Sequence, residues 1–179
     1  MTDGGANDHA EACDMPNYRR VLVPGGTYFF TVNLAERSSC LLVDEIDALH
    51  ASLREVRRVR PFDPIAWVVM PDHLHALWRL PEHDVDYAAR WMRIKQEFSS
   101  RVMRGERVSA SRARKGERGL WQRRYWEHLI RDDRDLQAHI DYIHFNPVKH
   151  GHAVRVADWP HSSFHRFVRE ERLPLDWAG

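Results

Sequence analysis

The sequence predicts an α+β fold in which helices pack on a single antiparallel sheet. Three observations carry that expectation. Two apolar runs, IAWVVM (65–70) and HLHALWRL (73–80), are separated only by Pro71-Asp72, the pattern of a β-hairpin. A third run, TYFFTVN (27–33), is aromatic and β-branched and follows a Gly25-Gly26 turn. Helical periodicity fills the stretches between these strands.

Taken in order, residues 1–14 are small, polar and acidic and read as a disordered lead-in, with residues 15–179 forming a single domain. The strand 27–33 is followed by VDEIDALHASLREVRRVR (43–60). There Ile46, Leu49, Leu53 and Val56 recur at helical spacing, with acids early and arginines late. Pro61 and Pro64 end that helix, and the hairpin follows. Residues 84–104 are helical again, starting near Asp84 or Asp86. GERVSASRARKGERG (105–119) reads as a basic loop and LWQRRYWEHLIR (120–131) as a strand. Asp132 caps a last helix, expected to end near Asn146 because Pro147 disfavours helical geometry in the residue before it. The order is βαββαβ, a ferredoxin-like (RRM-like) split unit with an antiparallel sheet, plus an added C-terminal helix.

Composition excludes several classes. No apolar run is long enough to span a bilayer, and the N-terminus lacks the basic and apolar regions of a secretory signal. Cys13 and Cys40 make no disulfide framework, which fits a reducing cytoplasm. The net charge of +1 conceals an asymmetry. Between Arg90 and Arg131 thirteen Lys or Arg face four acids, interleaved with Trp91, Phe98, Trp121, Tyr125 and Trp126. Charge that tracks phosphates and rings that stack on bases suit a nucleic-acid surface; a solvated helix face with a mobile loop is the bland alternative.

His73 and His75 are two residues apart on a strand and therefore share one face, with Leu74 on the other. A pair of imidazoles needs a third ligand to make a metal site. The continuation Ala76-Leu77-Trp78 lacks the further ligands of a self-contained zinc hydrolase. In DYIHFNPVKHG, Tyr142 and Asn146 stand one helical turn apart on a common face, whereas His144 points elsewhere. An amide oxygen is a hard donor suited to Mg²⁺ or Mn²⁺, and a phenol beside such an ion is a candidate nucleophile. Tyr142 as a core aromatic, with Asn146 merely ending the helix, is the competing reading.

Taken together, VVMPDHLHALW, LWQRRYWEHLIRDD, DYIHFNPVKHG, YRRVLVPGGTYFFTVNL and DWPHSSFHRF resemble the His-hydrophobic-His (HUH endonuclease-like) single-tyrosine transposases, and within them the REP-associated tyrosine transposases. These blocks run in the family's order over nearly the whole chain, from about Met15 to Val168. The resemblance implies a nucleoid-associated, cytoplasmic enzyme that cleaves and rejoins single-stranded DNA beside a folded hairpin. It assigns His73, His75 and Asn146 to a Mg²⁺ or Mn²⁺ ion and Tyr142 to nucleophilic attack, through a 5′-phosphotyrosyl intermediate. Asn146 stands where related insertion-sequence enzymes more usually carry Gln.

Arg19, Arg20, Lys95, Arg123 and Arg124 are the DNA-binding candidates, set against arginines and lysines that are simply solvated. Glu127 and His128 are candidates to support the site from behind, and the histidines after Asn146 show no spacing that links them to it. Related enzymes act as dimers that trade the tyrosine helix, so a homodimer and a monomer are both open. A non-catalytic RRM-like module that binds single-stranded nucleic acid is the alternative function.

Overall fold

The computed structural model describes residues 21–106 and 108–179; the expected lead-in and the candidates Arg19 and Arg20 lie outside the described residues. Four strands are present among them: β1 (Thr27–Asn33), β2 (Asp63–Val69), β3 (His73–Arg79) and β4 (Trp126–Leu129). They form one antiparallel sheet in the order β2-β3-β1-β4, the arrangement expected of a split βαββαβ unit. No helix among the described residues is long and apolar enough to cross a membrane.

Strand alternation divides the sheet into two faces. Tyr28, Phe30 and Val32 of β1 join Leu74 and Trp78 of β3 on one side. Helices α2 (Ile46–Val59) and α3 (Tyr87–Arg101) cover that side through Leu49, Val56, Trp91, Ile94 and Phe98. Phe29, Ala66, Val68 and Leu77 occupy the other side, under α5 (Asp133–Lys149) and α6 (Phe164–Arg169). The added helix that carries Tyr142 is therefore α5, and it lies on the face shared by His73 and His75.

One ion pair organises the α3 side. Arg90 is buried, and its guanidinium donates to the Pro61 and Asp86 carbonyls and to the Asp84 carboxylate at 2.7–2.8 Å. Asp86 caps α3 by accepting from the Ala89 backbone N–H.

Several elements differ from expectation. The helix expected over 43–60 is broken at Glu45 into a short α1 (Leu41–Asp44) and α2. A four-residue turn, α4 (Ala110–Ala113), punctuates the basic loop. The strand expected over 120–131 shrinks to β4, because Trp121 makes only an isolated bridge to Leu34 and packs its ring on Phe98. Arg123 and Arg124 form an exposed corner before pairing resumes.

The largest departure concerns α5, which runs through Pro147 to Lys149. Proline removes one helical hydrogen bond but does not forbid the last turn. That turn is closed by Gly151 at φ 72, with the Gly151 N–H bonded to the Val148 carbonyl and the His152 N–H to the Pro147 carbonyl. This Schellman arrangement gives the helix its true end, and glycine suits the left-handed position.

Candidate active site

The hairpin turn delivers both imidazoles to the α5 face. In the register of β1 and β3, His73 lies opposite Asn33 and His75 opposite Thr31. Each Nδ1 has a partner: His73 donates to the Asp72 carboxylate at 2.7 Å, and His75 lies 2.9 Å from the Thr31 hydroxyl. Such bonds fix ring orientation and leave Nε2 of each ring for another task. The two ring centres are 5.0 Å apart. His75 Nε2 is buried without a partner among the described residues.

Burial sets the protonation of both rings. It lowers the His73 pKa, against the hydrogen bond and charge of Asp72. His75 is pushed down to about 3, by burial first and then by the neighbouring His73 and His150. Neutral imidazoles with free Nε2 lone pairs are the form that ligates a metal.

Helix α5 lays a stripe of side chains over this pair. Asp132 starts the helix by accepting from the Asp135 N–H at 2.8 Å, and Ile140 and Ile143 seat it on the sheet. The Tyr142 ring lies 5.1 Å from His75 and 5.8 Å from Phe29, and remains 37% exposed. Two turns later His150 lies 5.9 Å from His73. Asn146 is one turn from each, on the stripe that connects these two contacts. It is fully buried, and neither of its amide atoms has a hydrogen-bond partner among the described residues.

An unpartnered buried amide costs about 1–3 kcal/mol per group. The Asn146 carbonyl oxygen and His75 Nε2, on facing elements, offer the unpartnered lone pairs that a bound cation would satisfy. Two imidazoles and an amide oxygen therefore fit an ion of the Mg²⁺ or Mn²⁺ kind. His144, two residues from Tyr142, points away as expected and packs against Phe164 and Phe167.

Two members of the stripe escaped the sequence reading. Lys149, whose ammonium lies 5.0 Å from the Tyr142 ring centre, and His150 both belong to the turn that Pro147 was expected to remove. The spacing of four from Asn146 to His150 was the available signal. Asp72, which orients His73, sat unremarked in the hairpin turn.

Two of the DNA-binding candidates, Lys95 and Arg123, line a groove on the opposite side of the sheet. Lys95 of α3 lies over the rings of Trp121 and Tyr125, and donates to the Gln122 carbonyl at 2.9 Å. Its burial lowers its pKa to about 8. It opens onto a groove of about 1060 Å³ that Arg104, Arg112, Lys115 and Arg123 also line. Arg123 is exposed and paired with Glu117 at 2.9 Å, and Arg124 is exposed.

Glu127 and His128 separate as strand neighbours must. Glu127 is buried near the Tyr87 hydroxyl under α3, which removes it from the neighbourhood of the histidine pair. His128 faces α5, where it meets Asp135 and His139. Those three side chains form a His/Asp group able to bind a metal, with donor atoms all within 4.8 Å of one another.

A family model described as "Transposase IS200 like" matches residues 25–146, from the turn before β1 to Asn146. The REP-associated tyrosine transposase of Escherichia coli (strain K12) is 46% identical over 165 residues, 92% of each chain. A relative from Haemophilus influenzae is 46% identical over 166 residues, 92% of this chain and 94% of the relative. A solved structure described as a REP-associated tyrosine transposase bound to a REP hairpin superposes with a TM-score of 0.80 at 45% identity, covering 92% of both chains. This chain belongs to the IS200-like transposases and, within them, to the REP-associated tyrosine transposases, enzymes that act on DNA.

Proposed function

We propose that Tyr142 is the nucleophile, that His73, His75 and Asn146 hold a Mg²⁺ or Mn²⁺ ion, and that the substrate is single-stranded DNA beside a REP-like hairpin. The carrying observation is Tyr142 over His75, with the unpartnered Asn146 amide one turn further along the same helix face. The hairpin is inferred from the structure of the 45% identical relative, which is bound to one.

In this reading a bound divalent ion supplies Lewis-acid stabilisation of the charge that develops on the scissile phosphate. The Tyr142 oxygen attacks phosphorus in line, forming a phosphotyrosyl bond as the bond to the 3′ oxygen breaks. The phenol loses its proton and the departing oxygen gains one, leaving a 5′-phosphotyrosyl ester and a free 3′-hydroxyl. Since the ester retains the bond energy, another 3′-hydroxyl can reverse the step and rejoin strands. Lys149 places a cation beside the phenol, where a DNA phosphate must pass.

Lys95 and Arg123 are assigned to the DNA backbone in the basic groove, Arg124 to the same backbone from the exposed corner beside Arg123, and Arg19 and Arg20 to the hairpin from their place just ahead of β1 in the sequence. Within one chain α5 packs on the sheet that carries His73 and His75, so a single copy can assemble all four residues of the proposed centre. A DNA-processing role suits the cytoplasm and its nucleoid.

The test is incubation of the protein with a single-stranded hairpin oligonucleotide and Mn²⁺, resolved on a denaturing gel. A covalent adduct is expected in wild type, absent with chelator and absent in Tyr142→Phe. Strand cleavage that persists in Tyr142→Phe would remove the tyrosine from this role.

A further inference from the structure

We propose a second metal site, of the Zn²⁺, Co²⁺ or Ni²⁺ class, formed by His128, Asp135 and His139 where β4 meets α5. It is separate from the set formed by His73, His75 and Asn146. It draws on different residues and places a charged carboxylate where the first set has a neutral amide. Two imidazoles and a carboxylate are a donor set that ions of the zinc kind take in three-ligand sites.

The three donors are brought together by two elements. Asp135 and His139 stand one turn apart on α5, and His128 reaches them from β4. His128 Nε2 lies 2.8 Å from one Asp135 carboxylate oxygen and His139 Nδ1 lies 3.1 Å from the other. The imidazoles are nearly parallel, 16° apart with centres 4.8 Å apart, so both present their edges to one carboxylate. Trp126 stacks on His128 and Phe29 packs on His139, which holds the rings from behind.

Ligand bonds of about 2.0–2.2 Å place tetrahedral donors about 3.4 Å apart. The donor atoms here lie within 4.8 Å of one another, so side-chain rotations that close about 1.4 Å suffice. His139 Nδ1 also lies 2.8 Å from the Asp135 carbonyl, a contact the ion would displace. All three side chains retain some exposure, which leaves a path for an ion and a water to complete four-coordination. His128 Nε2, the Arg131 N–H and the Arg131 guanidinium all meet one Asp135 oxygen, and the His128 contact too would give way to the ion.

The consequence lies in position. His139 precedes Tyr142 by three residues on the same helix face, and Phe29 touches both rings. An ion bridging β4 and α5 at this point clamps the tyrosine-bearing helix to the edge of the sheet.

The probe is Co²⁺, whose visible absorption reports coordination, titrated into metal-free protein in which His73→Ala and His75→Ala have removed the first site. One bound equivalent is expected, displaced by Zn²⁺. Changes behind a ligand cost about 10–100-fold, so removing a ligand is expected to weaken binding by about 100-fold or more. His139→Gln and His128→Gln should each show that loss while circular dichroism stays unchanged. Absence of Co²⁺ binding in the double variant, or binding indifferent to His139→Gln, overturns the site. If the double variant does not fold, wild-type stoichiometry decides: a second equivalent lost in His139→Gln supports the site, and a single equivalent unaffected by it refutes it. None of these readouts depends on the assignment of Tyr142 or of the hairpin substrate.

Discussion

Replacing His144 by Gln isolates one buried proton-binding group and shows what it does to acid stability. His144 sits in α5 with its ring against Phe164 and Phe167, and its Nε2 lies 2.9 Å from the Ser163 hydroxyl. The Ser163 oxygen accepts from the Trp67 N–H at 2.9 Å, so its own proton is free to point at Nε2. A neutral ring satisfies this contact in either tautomer, since the hydroxyl and Nε2 can each donate to the other. Burial, with the nearby Arg166 and Arg172, lowers the pKa to about 4. In the unfolded chain the ring takes a proton near pH 6.5.

Below about pH 6.5 the unfolded state binds a proton that the folded state refuses, so stability falls with pH until about pH 4. At about 1.4 kcal/mol per pH unit, His144 accounts for a loss of about 2 kcal/mol between pH 7.5 and pH 5. His75, held at about 3, adds a loss of similar size over that interval in metal-free protein. Urea denaturation of metal-free wild type and His144→Gln at both pH values measures the difference. The variant begins less stable, through lost ring packing, but should lose about 2 kcal/mol less on acidification. Equal losses in the two proteins would refute the assignment of a depressed pKa to this ring.

Three other outcomes can be checked. Arg90→Met removes the ion pair with Asp84 and leaves the Pro61 and Asp86 carbonyls without the guanidinium, and should destabilise the fold by about 1–3 kcal/mol in urea. Asp72→Asn frees the His73 ring and is expected to weaken Mn²⁺ binding by about 10–100-fold in calorimetry, with the fold retained. Lys95→Gln should weaken single-stranded DNA binding and reduce the slope of log K against log salt by about 1, measured by fluorescence anisotropy.

Much of this was legible because periodicity and turn chemistry agreed. The strand 27–33 and the hairpin around Pro71-Asp72 stand as the sequence reading placed them, and alternation puts His73 and His75 on one face and Leu74 in the opposite core. The last strand was overread because Trp121 and Tyr125 look like strand residues while packing against α3. The helix end was underread because the rule before proline is a preference, and Gly151 supplied a better terminus one turn later. That single turn hid Lys149 and His150. Lys95 looked like a surface lysine, yet its ammonium is held between rings and a carbonyl, on the face away from the histidine pair. Side-chain periodicity tells which face a residue takes, but not which helix will cover it.

The central claim is that the Tyr142 oxygen becomes bonded to DNA. Digesting the adduct formed with a hairpin oligonucleotide and Mn²⁺, and sequencing the nucleotide-bearing peptide by mass spectrometry, reads this out. A 5′-phosphorylated nucleotide is expected on Tyr142, in the peptide that also contains Asn146. A nucleotide attached to any other residue would contradict it.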